Sequence, residues 1–330
     1  MAIAAIARLL DGVRAPVLRV AIAHSPRLRR AARSRAYRLE LFALVGIGGA
    51  LLGALLAPTL LFVWGPLVLG VPHLVADVRY LALRPYAALR VRARDLVIAV
   101  PLIATVWLPT PTVGGLAPLV AIALAPTRRG GRWLLTLLAA GSLYAVAVSS
   151  PVTALYVMVH AHNAIAIAIA GAILVRGLAG AILVSGAAVG TALILAGALD
   201  PLVHTLPLDG VCDYVLPDAA RAAWAPMVCA RIGLAFVFLQ SVHYAAWLRL
   251  VPEAMRPRPG MRGFVGGLRA LEVDLTRVGV VAVTILAAGL ILAGAFDARW
   301  ARATYLSLAS FHAYLELAFL GRWLVGASAR

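Results

Sequence analysis

A succession of about ten apolar runs, separated by short polar stretches, constrains this chain more than any other feature. Hydrophobic residues make up 63% of the sequence, whereas charged residues make up only 13%. A soluble domain of this size would leave much of that apolar surface in contact with water. Because a lipid bilayer is the solvent that accommodates such a composition, we predict an all-α, polytopic transmembrane bundle of about ten helices.

The limits of these runs also indicate where the chain departs from simple spans. The runs lie at 41–64, 65–83, 95–108, 113–126, 133–149, 151–175, 179–199, 222–248, 273–296 and 303–321. A straight helix needs about 20 residues to cross a bilayer, so the runs 95–108 and 113–126 are short. Both contain prolines, which break helices. We therefore expect either two full spans or a re-entrant pair over 95–126, and in both cases the chain returns to the same side.

Arginine residues explain both the N-terminal segment and the topology. The 30 basic residues of the chain are all arginine and give a net charge of +17. They lie mainly between the apolar runs, a distribution that favours membrane orientation over nucleic-acid binding. Residues 1–40 carry nine of them among short apolar groups, which predicts a basic amphipathic helix lying on an anionic membrane face. The remainder, 41–330, is expected to form a single transmembrane domain.

Charge asymmetry between the loops gives a consistent orientation. Arginines cluster in 84–94, 128–132 and 256–269, whereas the loops 109–112 and 149–151 carry no charge and 200–221 has four Asp and one Arg. The positive-inside rule then places both termini in the cytoplasm. We expect an integral protein of a bacterial inner membrane.

Polar residues inside the apolar runs are few and grouped on four of the helices. Each of these helices pairs a histidine with a second polar group three or four residues away, which puts both on one helix face. The pairs are His73 with Asp77, His160 with Asn163, Gln240 with His243, and His312 with Glu316. Such faces should point into the bundle, away from lipid.

Depth along the helices strengthens this interpretation. In the topology above the four helices run in the same direction, and each of the four histidines lies about nine to twelve residues into its run. At 1.5 Å per residue, the four imidazoles lie within roughly 5 Å of one level. We therefore predict a metal site formed by His73, His160, His243 and His312. His162 is about 200° around the helix from His160, so we expect it to lie outside the site.

Imidazole nitrogens with nearby carboxylates suit iron, copper or zinc. The neighbouring polar groups then either support the ligating histidines or are additional ligands of a one-metal or two-metal centre. These groups are Asp77, Glu316, Asn163 and Gln240. Four tyrosines that adjoin the histidine segments are candidates to line a substrate cavity: Tyr80, Tyr156, Tyr244 and Tyr314. The alternatives are a proton or ion pathway and purely structural hydrogen bonds.

Two cysteines, Cys212 and Cys229, are too few for a thiolate cluster. Both are expected near the outer face of the membrane. A disulfide between them requires an oxidising compartment, and the sequence leaves that pairing open.

A short motif on the second run resembles a known family. The segment Gly70-Val71-Pro72-His73 followed by Asp77 resembles the G-x-P-H-x3-D signature of the Brp/Blh family of bacterial and archaeal membrane beta-carotene dioxygenases. The resemblance implies cleavage of a carotenoid by histidine-bound non-haem iron, with His73 as a ligand. The family has a later W-H-S-x-R-H segment with two histidines. Here its nearest counterpart, 240–244, reads Gln-Ser-Val-His-Tyr and has only one.

Together these features predict a metal-dependent oxygenase or related oxidoreductase that acts on a lipophilic small molecule with O₂, within membrane lipids. A proton-coupled transporter that uses the intramembrane histidines and carboxylates is the alternative from another class. A structural or assembly protein of the membrane is the third.

The topology can be tested by cysteine labelling. In a background without Cys212 and Cys229, a cysteine replacing Arg258 should react with a membrane-impermeant maleimide only from the cytoplasmic side, because the arginine-rich loops stay inside. A cysteine replacing Asp209 is the matched control and should react only from the outside. Labelling of the first variant from outside would reverse the helix directions and remove the common depth of the histidines.

Overall fold

The computed structural model describes residues 2–84, 93–125, 129–203, 211, 215–218, 222 and 225–326. Within those ranges the chain forms thirteen helices and no β-strand. They are α1 (Ala2–His24), α2 (Pro26–Arg33), α3 (Arg35–Leu56), α4 (Pro58–Leu83), α5 (Ala93–Trp107), α6 (Pro111–Ala123), α7 (Gly131–Ser149), α8 (Pro151–Val175), α9 (Gly177–Leu195), the single turn α10 (Asp200–Val203), α11 (Pro226–Ala254), α12 (Phe264–Phe296) and α13 (Ala298–Leu324).

Seven of these helices are long and apolar enough to cross a membrane: α3, α4, α7, α8, α9, α11 and α12. The chain is therefore an integral membrane protein with an all-helical fold. The expected number of about ten membrane helices is not confirmed. The 27-residue helix α13 packs against α4, α5, α6 and α12, so it lies within the bundle although it is more polar than the seven.

The first membrane helices divide at a different point from the one predicted. We placed the boundary between residues 64 and 65, but α3 ends at Leu56 and α4 begins at Pro58. Ala57 between them adopts φ −149° and ψ 56°, outside the helical region. Proline has no backbone N–H to lose at the first position of a helix, which is why Pro58 begins α4. Pro66 lies within the same helix, in the apolar stretch where the boundary had been expected.

Within the predicted segment 95–126, the described residues 95–125 form a short helical hairpin, α5 and α6. Helix α5 has 15 residues, or about 22 Å, which is less than the ~30 Å thickness of the hydrocarbon core. Its last carbonyl groups have no partner within the helix. Two hydroxyls of α13 satisfy them: Ser307 donates to the Val106 carbonyl at 2.7 Å, and Ser310 donates to the Thr105 carbonyl at 2.6 Å. This hairpin favours the re-entrant alternative.

Three helices widen into π-helical segments directly after their polar residues. The segments are Val78–Leu83 in α4, Ile169–Val175 in α8 and Ala246–Leu250 in α11. A π segment adds a residue to a turn and shifts the direction in which the following side chains point, and it is frequent at functional sites. Here all three follow a histidine of the candidate site described below.

The N-terminal helices are docked onto the start of α12. The carboxylate of Asp11 in α1 accepts hydrogen bonds from the backbone N–H groups of Val265 and Phe264, at 2.9 and 2.7 Å. Those two hydrogen bonds, Val265 first, hold the pKa of Asp11 below its usual range. Helix α12 is kinked at Thr276, whose φ is 64°, and the Thr276 hydroxyl accepts from the Gly279 N–H at 3.3 Å. The helix therefore restarts with a threonine cap before it crosses the membrane.

Close helix packing depends on small residues. A Cβ atom built on Gly70 of α4 would lie 2.2 Å from the ring of Tyr305 on α13. Tyr305 is itself buried and belongs to the apolar cluster between α4, α12 and α13. Gly70 lies one helical turn before His73, so this contact fixes how closely α13 approaches the polar residues of α4.

Replacing Gly70 with alanine should therefore destabilise the protein. Overpacking of this kind costs about 1–3 kcal/mol and should lower the melting temperature of the detergent-solubilised protein. Gly48→Ala on α3 is the matched control, because nothing lies within 4 Å of its added Cβ and alanine is the better helix former. An equal melting temperature for the two variants would contradict the contact with Tyr305.

Candidate metal centre

Four helices, α4, α8, α11 and α13, bring a cluster of histidines and carboxylates together inside the bundle. We call this group the histidine cluster: His73, His162, His243 and His312, with Asp77, Asn163 and Glu316. Asp77 and Glu316 are fully buried, and His73, His243 and Asn163 are each only 1% exposed. His162 and His312 are half-buried, so the accessible edge of the cluster lies on α8 and α13.

The four imidazole rings are linked by a series of edge-to-face contacts. The ring centroid of His73 lies 4.4 Å from that of His243 and 5.3 Å from that of His312. The ring of His162 lies 5.5 Å from His243 and 5.2 Å from His312. These spacings are short enough for nitrogens of several rings to reach a common ion.

Hydrogen bonds to Nδ1 orient three of the rings. His243 Nδ1 is bonded to the side-chain oxygen of Asn163 at 2.8 Å, and His162 Nδ1 to the Met158 carbonyl at 3.3 Å. His312 Nδ1 is bonded to the carbonyl of Ala309 in its own helix. Because an amide or carbonyl oxygen only accepts, each Nδ1 carries the proton and each Nε2 keeps a free lone pair. That is the tautomer in which imidazole binds a metal through Nε2.

Each carboxylate lies beside a histidine nitrogen without being hydrogen-bonded to it. Asp77 Oδ2 is 3.1 Å from His73 Nε2, and Glu316 Oε1 is 3.7 Å from His243 Nε2. All four atoms lack a hydrogen-bond partner of acceptable geometry. Two ligand atoms that each lie 2.0–2.2 Å from one ion are about 3–3.5 Å apart, depending on the coordination geometry. The Asp77–His73 separation lies within that range, and the Glu316–His243 separation is slightly longer.

Two overlapping sets of ligand atoms could hold an ion. One consists of His73, His243 and Glu316, and the other of His73, Asp77 and His312; within each set the atoms lie within 4.8 Å of one another. His73 belongs to both sets and both of its ring nitrogens lack a partner. The cluster can therefore hold one ion in either set. Two ions bound through both nitrogens of His73 would require that ring to lose its N–H proton.

Several buried polar atoms of the cluster have no hydrogen-bond partner, and their burial costs free energy. The buried atoms without a partner here are His73 Nδ1 and Nε2, His243 Nε2, Asn163 Nδ2, and both carboxylate oxygens of Asp77 and of Glu316. A buried polar group without a partner costs roughly 1–3 kcal/mol, and a buried charge costs more. Within the described ranges no guanidinium pairs with either carboxylate. These side chains therefore need a proton or a cation, and their donor set suits a metal ion.

The prediction that His160 rather than His162 joins the cluster is wrong. His160 Nε2 is bonded to the Val215 carbonyl at 2.8 Å and its ring packs against Phe236, outside both ligand sets. Residues two apart lie on nearly opposite helix faces, so only one of His160 and His162 can face the cluster. Depth along an apolar run could not choose the face. The adjacent Asn163 favoured the wrong one, because it lies about 60° around the helix from His160 and about 100° from His162.

The polar groups expected to pair on single helices mostly have partners on other helices. Only His73 and Asp77 lie side by side as the expected one-turn pair. Asn163 of α8 serves His243 of α11 across the helix interface, instead of serving His160, and it takes the place expected for Gln240. Glu316 approaches His243 and not His312 in its own helix. Groups on one helix face converge on neighbouring helices, and the shorter reach across the interface decides their partners.

The four predicted tyrosines lie in different surroundings. The ring of Tyr244 is 5.4 Å from His73 and 6.0 Å from His243, so it borders the cluster. Tyr80 packs between Arg79 and Arg84, and Tyr314 packs on Gly114. Tyr156 is half-buried on α8, and no contact joins it to the cluster among the described residues.

Sequence reasoning missed Trp247 as a cluster neighbour. Its ring is fully buried, 6.3 Å from His73 and 6.5 Å from His243, and its indole N–H has no partner. It lies four residues after His243, one turn along α11. That spacing could have placed Trp247 on the same helix face as His243, although a tryptophan in a membrane helix usually indicates the membrane–water interface.

The surrounding residues exclude one further ligand class. Cys229 is fourteen residues before His243 on α11, or about 21 Å along the helix axis, so its thiol is remote from the cluster. Cys212 lies outside the described residues, and so does its pairing with Cys229. Among the described residues, the donor set of the cluster is therefore imidazole and carboxylate without a thiolate.

The chain matches no protein-family model, no curated protein and no solved structure. The resemblance to membrane beta-carotene dioxygenases stays a prediction carried by the segment from Gly70 to Asp77. Within that segment His73 and Asp77 lie in the histidine cluster.

His73, inside the histidine cluster, and His160, outside it, provide a matched test of the centre. His73→Ala removes the ligand common to both sets and should reduce the metal content of the purified protein to background, measured by inductively coupled plasma mass spectrometry. His160→Ala should leave the metal content unchanged, because that imidazole is bonded to a backbone carbonyl elsewhere. Equal metal content in both variants would rule out a centre at the histidine cluster.

Proposed function

We propose that this protein is a membrane-embedded, metal-dependent oxidoreductase that uses O₂ to oxidise a lipophilic small molecule. The observation that carries the proposal is the set of buried imidazole and carboxylate atoms that converge without hydrogen-bond partners. Mixed histidine and carboxylate ligation with open positions is typical of non-haem iron oxygenases. Copper and zinc fit the same nitrogen and oxygen donors, and Fe²⁺ is the ion we favour.

Charge neutrality supports a divalent ion. Asp77 and Glu316 together carry two negative charges when both are ionised, and one divalent cation neutralises them. The imidazoles are neutral ligands in the tautomer that their Nδ1 hydrogen bonds fix. A centre with no net charge is the least costly to bury in a low-dielectric interior.

The protein supplies orientation and exclusion of water, while the ion supplies the redox chemistry. A bound ion such as Fe²⁺ would supply the redox chemistry for the reaction of O₂ with an organic molecule. Asn163 holds the ring of His243, and the Ala309 and Met158 carbonyls hold the rings of His312 and His162. Fixed ligand orientation of this kind strengthens metal affinity. The near-complete burial of His73 and His243 keeps bulk water away from the reacting atoms.

Burial also supports the lipophilic nature of the substrate. The less buried edge of the cluster lies on α8 and α13, at His162 and His312. Helix α8 exposes apolar side chains, for example Val157 at 55% exposure, as a surface in contact with lipid does. A substrate that enters at this edge would come from the membrane, and its reacting bond would lie beside the ion. A polyene such as a carotenoid, which the Gly70–Asp77 resemblance implies, has the required solubility.

Metal replacement tests the redox role directly. The protein loaded with Fe²⁺ should consume O₂ in the presence of a carotenoid and incorporate label from ¹⁸O₂ into the product. The same protein loaded with Zn²⁺ is the control, because zinc occupies nitrogen and oxygen sites but has no redox chemistry. Equal activity of the zinc form, or proton flux by metal-free protein in liposomes, would contradict the proposal, and the second outcome would favour a transporter.

The carboxylates give an independent prediction. Asp77→Asn and Glu316→Gln each remove one negative charge from the cluster and should weaken metal binding by roughly 10–100-fold, measured by competition with a chelator. Glu272→Gln is the matched control, because that half-buried carboxylate of α12 lies 3.9 Å from the guanidinium of Arg277 and belongs to neither ligand set. Unchanged affinity in both cluster variants would mean that the carboxylates do not face the ion.

A further inference from the structure

A second group of charged residues lies where α4 ends and α11 connects to α12. Arg79 and Arg84, on the last turns of α4, both bond to the carboxylate of Asp274 on α12. Arg79 also donates to the Ala270 carbonyl at 3.0 Å, and Arg84 to the Met255 carbonyl at 3.2 Å. One carboxylate thus serves two guanidinium groups.

The same shortage of anions recurs on α11. The carboxylate of Glu253 accepts hydrogen bonds from both Arg38 and Arg256 through the same oxygen. Arg38 is further stabilised by backbone carbonyls, including that of Ala31 at 2.6 Å. Arg256 is 9% exposed, and its Nε–H has no partner. A buried guanidinium with a free donor needs another acceptor.

Arg262 joins these residues from the connection between α11 and α12. It is half-buried and no carboxylate of the described residues bonds to it. Burial, followed by the positive charges of Arg256, Arg79 and Arg84, lowers the pKa of Arg262. Its electrostatic neighbours are therefore mainly other guanidinium groups.

This region has more guanidinium groups than carboxylates. We define the arginine cluster as Arg79, Arg84, Arg256 and Arg262. Together with Arg38 it presents five guanidinium groups to two carboxylates, those of Asp274 and Glu253. Three positive charges therefore remain without an anion. Two of the four side chains of the arginine cluster, Arg79 and Arg256, are nearly fully buried. Concentrated positive charge with unfilled donors is the arrangement that phosphate oxygens satisfy, since guanidinium groups bind them through paired hydrogen bonds.

We propose that the arginine cluster binds a phosphate group, as the phosphorylated headgroup of an anionic membrane lipid or as free phosphate. The cluster lies at the ends of α4 and α11, the level at which headgroups meet the protein, and on the side that the arginine distribution assigns to the cytoplasm. Basic pockets between membrane helices on that side bind anionic headgroups. This site is separate from the histidine cluster, and it does not depend on the proposed oxidoreductase activity.

The wild-type protein provides the first test. Its melting temperature in neutral detergent should rise with added phosphatidylglycerol and not with phosphatidylcholine, because a ligand that binds the folded state stabilises it. Inorganic phosphate, added at matched concentration, separates the two sources. A rise with phosphatidylglycerol alone assigns the site to a lipid headgroup, and a rise with both assigns it to the phosphate group itself. No rise with either would overturn the proposal, without bearing on metal binding.

Two arginines of the same loop then separate specific binding from overall charge. Arg262→Gln should weaken phosphatidylglycerol binding roughly fivefold, the loss expected for one guanidinium near a phosphate, as measured by titration with native mass spectrometry. Arg258→Gln is the matched control. Arg258 is exposed in the same connection, and its substitution removes the same charge. Arg262→Lys keeps the charge but loses the paired donors, and should bind more weakly than wild type. Equal affinities for the two glutamine variants would show that only net charge matters and would overturn the site.

Discussion

A carboxylate buried in the hydrocarbon core has no water molecules with which to form hydrogen bonds. This constraint governs the arrangement of the bundle. Asp77 and Glu316 are fully buried in helices whose outer surfaces are apolar, and neither is bonded to a guanidinium within the described ranges. Their helices must therefore turn these faces toward one another and toward the imidazoles of α8 and α11. The packing of α13 against α4, with Tyr305 seated on Gly70, follows from that requirement.

The charged groups of the protein are separated into two levels. The histidine cluster combines neutral imidazoles with two carboxylates and lacks positive charge, whereas the arginine cluster at the ends of α4 and α11 has an excess of it. The π segment of α4 begins directly after Asp77 and contains Arg79, and the π segment of α11 lies between His243 and Glu253. A wider turn there lets Asp77 face the histidines while Arg79, two residues later, reaches Asp274. The two ligands that we propose are accordingly of opposite charge, a metal cation at the first level and a phosphate group at the second.

Sequence reasoning located the site more securely than it assigned partners within it. His73, His243 and His312 were recognised because an ionisable group in an apolar run is too costly to be exposed to lipid. His160 was chosen over His162 because counting along a run measures depth and not rotation. The shifted boundary at Ala57 and the extension of α12 to Phe264 show that run limits are equally imprecise. The missed contact between Asn163 and His243 joins residues 80 positions apart, which periodicity within one helix cannot reveal.

The sequence by itself determined that the chain lies in a membrane, that it is helical, and which helices carry the polar faces, because composition and helical spacing are local properties. Tertiary structure decided which imidazole of α8 faces the cluster, that Glu316 approaches His243, and that Trp247 borders the rings. It also decided that four guanidinium groups share two carboxylates. These outcomes depend on helix rotation and on distances between side chains remote in sequence. Packing fixes both, since in a close-packed interior a side chain can reach only the partners that its neighbours leave within a few ångströms.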